Sequence, residues 1–128
     1  MMFNKLKHMK LLLVDDDEFV RDSLGLMFES RGCSLRVVES AEEAITILDE
    51  QSYDIVITDY RLPGMDGLKF CRWMQQTHPR CLKILITAYG SRTLESEALS
   101  IGVNQFIEKP ITSEAIESSL ASLFNETL

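Results

Sequence analysis

Carboxylates, a hydroxyl and an ammonium each stand directly behind an apolar run in this sequence. Asp15-Asp16-Asp17-Glu18 follows Leu11-Leu12-Leu13-Val14, and Asp59 follows Ile55-Val56-Ile57-Thr58. Thr87 follows Ile84-Leu85-Ile86, and Lys109-Pro110 closes the stretch after Phe106-Ile107-Glu108. Gathered in one place, such groups suit phosphoryl chemistry. Clustered carboxylates repel one another and need a cation, and an oxygen-rich set with few other ligands suits Mg²⁺. A metal held there would neutralise charge on an incoming phosphoryl group, and a free carboxylate beside it could attack phosphorus to give an aspartyl phosphate. Lys109 would supply a mobile positive charge and Thr87 a hydroxyl donor, which is most of what phosphoryl transfer asks of a protein.

These residues are far apart in sequence, so the fold must bring them together. Five apolar runs, Lys10–Val14, Leu35–Val38, Asp54–Thr58, Lys83–Thr87 and Gln105–Glu108, read as strands. Several are continuous rather than alternating, the pattern of strands buried on both faces of a parallel sheet. Helical spacing fills the gaps. Val20, Leu24, Met27 and Phe28 repeat ahead of a stop at Gly32, with Asp17 as the N-cap. Ser40 and Glu43 make a capping box before Ala41, Ala44, Ile45 and Leu48. Leu68, Cys71 and Met74 run until His78-Pro79, Leu94, Ala98 and Ile101 until Gly102, and Ala115, Ile116, Ser119, Leu120 and Leu123 form the last helix. The pattern is (βα)5, an α/β doubly wound parallel sheet. Ligands of such sheets bind outside the carboxyl ends of the strands, where the polar residues named above stand.

Each of these residues has a duller reading alone. An acidic run after a strand is usually a solvated turn, and an Asp ahead of Pro-Gly is usually turn chemistry. A strand-terminal Thr is usually a β-former. Assembled at one sheet edge, they are better explained as a site.

The chain has 128 residues, enough for one domain, and a net charge of -7. That charge repels nucleic-acid backbones, so direct binding of nucleic acid by this domain is not expected. No apolar run approaches a membrane span. Cys33, Cys71 and Cys81 have neither zinc spacing nor the look of a disulfide framework, and reduced, mostly buried thiols in a cytoplasmic protein are expected. Residues 1–8, with Lys5, Lys7 and His8, read as a disordered or appended lead-in, with Met9 able to serve as the start; residues 9–128 read as the domain.

Four segments together resemble the receiver domain of two-component response regulators, of the chemotaxis-regulator-like kind. They are Leu11-Leu12-Leu13-Val14-Asp15-Asp16-Asp17-Glu18; Ile57-Thr58-Asp59-Tyr60-Arg61-Leu62-Pro63-Gly64-Met65-Asp66-Gly67-Leu68; Ile84-Leu85-Ile86-Thr87-Ala88-Tyr89-Gly90; and Phe106-Ile107-Glu108-Lys109-Pro110. The resemblance implies a flavodoxin-like three-layer sandwich with strand order 2-1-3-4-5. It implies Asp59 as phosphoacceptor and Mg²⁺ held by Asp15, Asp16, Asp59 and the backbone carbonyl of Arg61. Asp16 would ligate directly and Asp15 largely through water. It implies Thr87 and Lys109 as partners of the phosphoryl group, Thr87 and Phe106 as the switch pair, and a cis Lys109–Pro110 bond. Phe106 lacks a tyrosine's hydroxyl, and Arg61 and Tyr89 flank the site, where their bulk and charge bear on phosphoryl lifetime.

Such a domain is a regulatory phosphoacceptor rather than an enzyme. Its donor would be a sensor histidine kinase or phosphotransfer protein, received beside the first helix of the pattern near Ser23, Leu24 and Met27. Its readout would be the face of the fourth helix, fifth strand and fifth helix, toward an output domain or target protein or a second copy. Thr87-Ala88-Tyr89-Gly90-Ser91 resembles receivers attached to transcriptional activators. Other classes fit less well. A hydrolase with an Asp nucleophile would carry a second Asp where Arg61 stands. A nucleotide or flavin domain would need a glycine-rich turn where the acids stand. A phosphorylation-independent interaction module of the same fold remains the alternative.

Overall fold

The computed structural model describes residues 2–124, except for the side chain of Met2. Met1 and residues 125–128, assigned above to the lead-in and the domain respectively, lie outside the described residues. Five strands, β1 (Leu11–Val14), β2 (Leu35–Val38), β3 (Ile55–Asp59), β4 (Leu82–Thr87) and β5 (Gln105–Glu108), form one sheet in the order β2-β1-β3-β4-β5. Every pairing is parallel. The strands stand within one residue of the runs read from sequence.

Helices α2 (Glu18–Ser30), α3 (Ala41–Glu50), α4 (Gly67–Thr77), α5 (Arg92–Ser100) and α6 (Ser113–Leu123) connect and follow the strands. Polar caps start them. Asp17 accepts from the Phe19 N–H, Ser40 from Glu43, Asp66 from Lys69, Ser91 from Leu94 and Thr112 from Ala115. Each cap satisfies a donor that the helix itself leaves free. In the Ser40 box, the Glu43 carboxylate meets the Ser40 hydroxyl at 3.3 Å.

The continuous apolar strands are explained by burial on both faces. Leu12, Val14, Val56 and Leu85 pack with Ala44, Leu48, Phe70, Met74 and Ala98 on one side. Leu11, Leu13, Ile55, Ile57, Ile84 and Ile86 pack with Leu24, Phe28, Ile116 and Leu120 on the other. Alternate residues therefore feed alternate layers. Only the edge strand β2 exposes its middle, at Arg36 and Val37. Cys33, Cys71 and Cys81 are free and buried, and burial pushes the Cys71 thiol up to about 12.

Within residues 1–8, expected as a disordered or appended lead-in, the described residues include ordered structure. Met2–Leu6 form a further helix, α1. Phe3 and Leu6 share a face three residues apart, and both join the layer that holds α2 and α6, with Leu6 fully buried. The Arg31 guanidinium lies 4.7 Å from the Phe3 ring centre and also pairs with Glu117 of α6 at 3.5 Å. The short sequence gave no periodicity to read; the apolar contacts come from elements distant in the chain.

Candidate functional site

The carboxyl ends of β1, β3 and β4, and the residue after β5, meet at one edge of the sheet. The hydrogen-bond ladder runs on past the strands and fixes the backbone there. The Asp15 N–H donates to the Val38 carbonyl at 3.1 Å, the Tyr60 N–H to Ile86 at 2.7 Å, and the Lys109 N–H to Thr87 at 2.8 Å. Asp15, Asp59 and Lys109 are thereby placed by rigid neighbours rather than by loops.

Asp15, Asp16 and Asp59 each offer a carboxylate oxygen within 4.8 Å of the others. Asp15 and Asp59 are buried and Asp16 is exposed. The Lys109 ammonium lies 3.5 Å from Asp59 Oδ2 and 3.8 Å from Asp15 Oδ2. Asp59 Oδ1 accepts from the Tyr60 N–H at 3.0 Å, and Asp15 Oδ1 from the Asp17 N–H at 2.9 Å. Asp15 Oδ2 is buried and has no hydrogen-bond partner among the described residues. Burial raises the Asp15 carboxyl to about 6, against the Asp17 N–H, with the Asp59 charge adding to the rise and Lys109 opposing it. Burial also raises Asp59, opposed mainly by Lys109. Among the described residues, the Lys109 ammonium alone pairs with Asp15 and Asp59, and it faces more carboxylate charge than it balances. An orphaned buried oxygen, three converging carboxylates and an open side at Asp16 fit a hard divalent cation that keeps several waters.

Around this cluster the backbone is held close. Gly67 opens α4 directly against Asp59, and a Cβ there would overlap the Asp59 carbonyl oxygen. Gly64 takes φ +75°, and the Glu42 carboxylate fills the space beside it while accepting the Met65 N–H at 3.0 Å. That contact ties the β3–α4 loop, which carries Arg61, to the start of α3. Thr87 is buried, and its hydroxyl accepts from the Tyr89 N–H at 3.2 Å. Phe106 lies half-buried opposite Leu85 in the β4–β5 register, on the same side of the sheet as α4 and α5. Arg61 and Tyr89 both reach outward, the guanidinium 5.5 Å from the ring centre. The Lys109–Pro110 peptide is cis. Asp15, Asp16, Asp59 and Lys109 are thus brought together at this edge, with Thr87 at the end of β4 and Phe106 within β5 behind it.

A model of the response regulator receiver domain matches residues 11–121. The chain belongs to that family. The receiver is 36% identical over 110 residues to the transcriptional regulatory protein GlrR of Escherichia coli, covering 86% of this chain and 25% of the relative. It thus spans about a quarter of that relative's length. The receiver domain of a LuxO repressor protein from Vibrio parahaemolyticus superposes with a TM-score of 0.85 at 25% identity, covering 92% of this chain and 91% of the other. The beryllofluoride-activated NtrC4 receiver domain, a dimer in solution, superposes with a TM-score of 0.84 at 27% identity, covering 91% and 97%. This chain is accordingly a regulatory receiver domain of the two-component type with the flavodoxin-like order of strands.

Four residues at the site escaped the sequence reading. Arg21 donates to the Asp15 carbonyl at 2.9 Å, and Glu42 holds Met65. Gly67 presses on Asp59, and Phe19 stands 78% exposed at the head of α2. Only Phe19, an aromatic one residue past an acidic run, carried a signal that periodicity could have flagged as off the core face. Of the α2 residues expected to receive a partner, Leu24 is buried, Met27 half-buried and Ser23 exposed.

Proposed function

We propose that this receiver takes a phosphoryl group on Asp59 from a phosphohistidine of a sensor histidine kinase or phosphotransfer protein. The observation that carries the reading is the placement of Asp59 Oδ2 3.5 Å from Lys109 inside a three-carboxylate cluster. Asp15, Asp16, Asp59 and the Arg61 carbonyl would hold Mg²⁺, which would offset charge on the phosphoryl oxygens. The Asp59 carboxylate oxygen attacks phosphorus, the bond to the donor's imidazole nitrogen breaks, and its electron pair stays on that nitrogen. Lys109, held by its backbone bond to Thr87, pairs with an oxygen of the product. Thr87 exchanges its bond from Tyr89 for a phosphoryl oxygen, and Phe106 turns into the space that opens. The face of α5, β5 and α6 then differs between the two states, for an output domain, a target protein or a second copy. Beside the site, Phe19, Val20, Leu24, Met27, Tyr89 and Pro110 line an apolar groove of about 570 Å³, which suits the donor's helices. The domain is a regulatory phosphoacceptor that assists its own chemistry, acting in the cytoplasm.

Incubation with acetyl phosphate and Mg²⁺ should add one phosphoryl group to the intact mass. Asp59→Asn and EDTA should each abolish it. Labelling that persists in either case overturns the assignment.

A further inference from the structure

Arg21 sits in the first turn of α2, where a cation is disfavoured by the helix dipole unless something engages it. Here it is engaged on an acceptor other than a carboxylate. Its Nη1 donates to the Asp15 backbone carbonyl at 2.9 Å, while its own N–H donates to the Asp17 carbonyl at 3.1 Å. The second bond is the opening backbone bond of α2, which any residue here would make; the first is made by the guanidinium alone and reaches back across the acidic loop. The peptide joining Asp15 to Asp16 is planar, so fixing its oxygen sets the direction of both flanking Cα atoms. On the other side of Asp15, the N–H is fixed to Val38 of β2. Asp15 Oδ1 holds the Asp17 N–H, and Asp17 Oδ1 holds the Phe19 N–H.

We infer that Arg21 is a positioning residue for the acidic pair: its guanidinium clamps the Asp15–Asp16 peptide so that the two carboxylates converge on Asp59 before any cation arrives. The inference rests on the metal reading of the site given above. Without the clamp, the mutual repulsion of Asp15, Asp16 and Asp59 is free to spread the loop. Arg21 acts through the main chain, touching neither the reacting carboxylate nor the side-chain oxygens of the pair.

The test uses the ¹⁵N-labelled full chain, its Arg21→Ala and its Arg21→Lys variants, first stripped with EDTA and then titrated with MgCl₂. In the metal-free Arg21→Ala protein, exchange of the Asp17 amide should quicken by about tenfold, while Ile57 and Leu85 amides in the central strands keep their rates. Mg²⁺ affinity read from amide shifts should weaken by about tenfold, the usual effect of losing a group that orients a ligand. Arg21→Lys, which keeps a cationic donor, should recover part of both. An Arg21→Ala protein with unchanged Asp17 exchange, or one whose central-strand amides quicken equally, overturns the clamp. If the parent chain shows no response to Mg²⁺, the metal reading falls, and the metal-free exchange alone decides whether Arg21 positions the loop.

Discussion

Replacing Asp15 by Asn should stabilise the metal-free protein at pH 8 and do nothing for it at pH 4. The Asp15 carboxyl is raised from 3.8 to about 6, chiefly by burial, and its side chain is fully buried. Between those values the folded chain holds a proton that the unfolded chain has released. Stability therefore falls as pH rises through that window, and above pH 6 the whole penalty is present. A shift of about 2 units corresponds to about 3 kcal/mol. Water entering beside the exposed Asp16 screens part of this, so a net gain of about 1–3 kcal/mol is expected for Asp15→Asn at pH 8. The amide oxygen can still accept the Asp17 N–H, so the loop keeps its inner hydrogen bond. Urea unfolding followed by the fluorescence of Trp73, in EDTA, at pH 8 and pH 4, reads the difference. Adding Mg²⁺ at a hundredfold excess over its dissociation constant should stabilise the parent by about 2.7 kcal/mol, a gain of the same size as the advantage of Asp15→Asn, and so close most or all of the gap. An Asp15→Asn chain no more stable than the parent at pH 8, or equally favoured at both pH values, refutes the claim that this buried carboxylate is held at a cost.

Two other substitutions probe the frame. Gly67→Ala forces a Cβ into the Asp59 carbonyl, so the start of α4 must shift; a loss of at least about 2 kcal/mol in thermal unfolding and failure to label with acetyl phosphate are expected. Normal stability with normal labelling would show that the close approach is dispensable. Leu6→Ala should cost about 2–4 kcal/mol if α1 is docked, with labelling of Asp59 unchanged because α1 lies at the opposite end of the strands. A loss below about 0.5 kcal/mol would return residues 2–6 to the status of a tail.

The sheet and the residues at its edge were legible because they are written in contiguous signals. Leu11–Val14, Ile55–Ile57 and Ile84–Ile86 are unbroken apolar runs, and the sheet stops within two residues of the end of each, at Val14, Asp59 and Thr87. Asp15, Asp59 and Thr87, each at or just past the end of such a run, are assigned to one edge by the sequence pattern alone. What sequence did not carry is the set of contacts that cross between elements. Glu42 reaches the Met65 N–H across 23 positions, and α1 is held by Arg31 and by the α6 layer. Neither involves a periodic pattern. Gly67 carries no side chain to read, and its close approach to Asp59 depends on how α4 docks.

These unread contacts share a physical purpose. Three carboxylates near one ammonium would move apart or take up protons if their backbone could yield. The groups that prevent it are uncharged or remote from the carboxylate oxygens: the ladder bonds of Asp15, Tyr60 and Lys109, the Gly67 contact, and the Arg21 and Glu42 ties. A second cation placed among the carboxylates would have relieved the repulsion more directly. It would also have lowered the affinity of the cluster for a divalent cation. By supporting the acidic cluster through the main chain, the fold leaves the electrostatic strain unrelieved at Asp15 and Asp59. A cation that relieves that strain would be held more tightly here than by a cluster the protein had already neutralised.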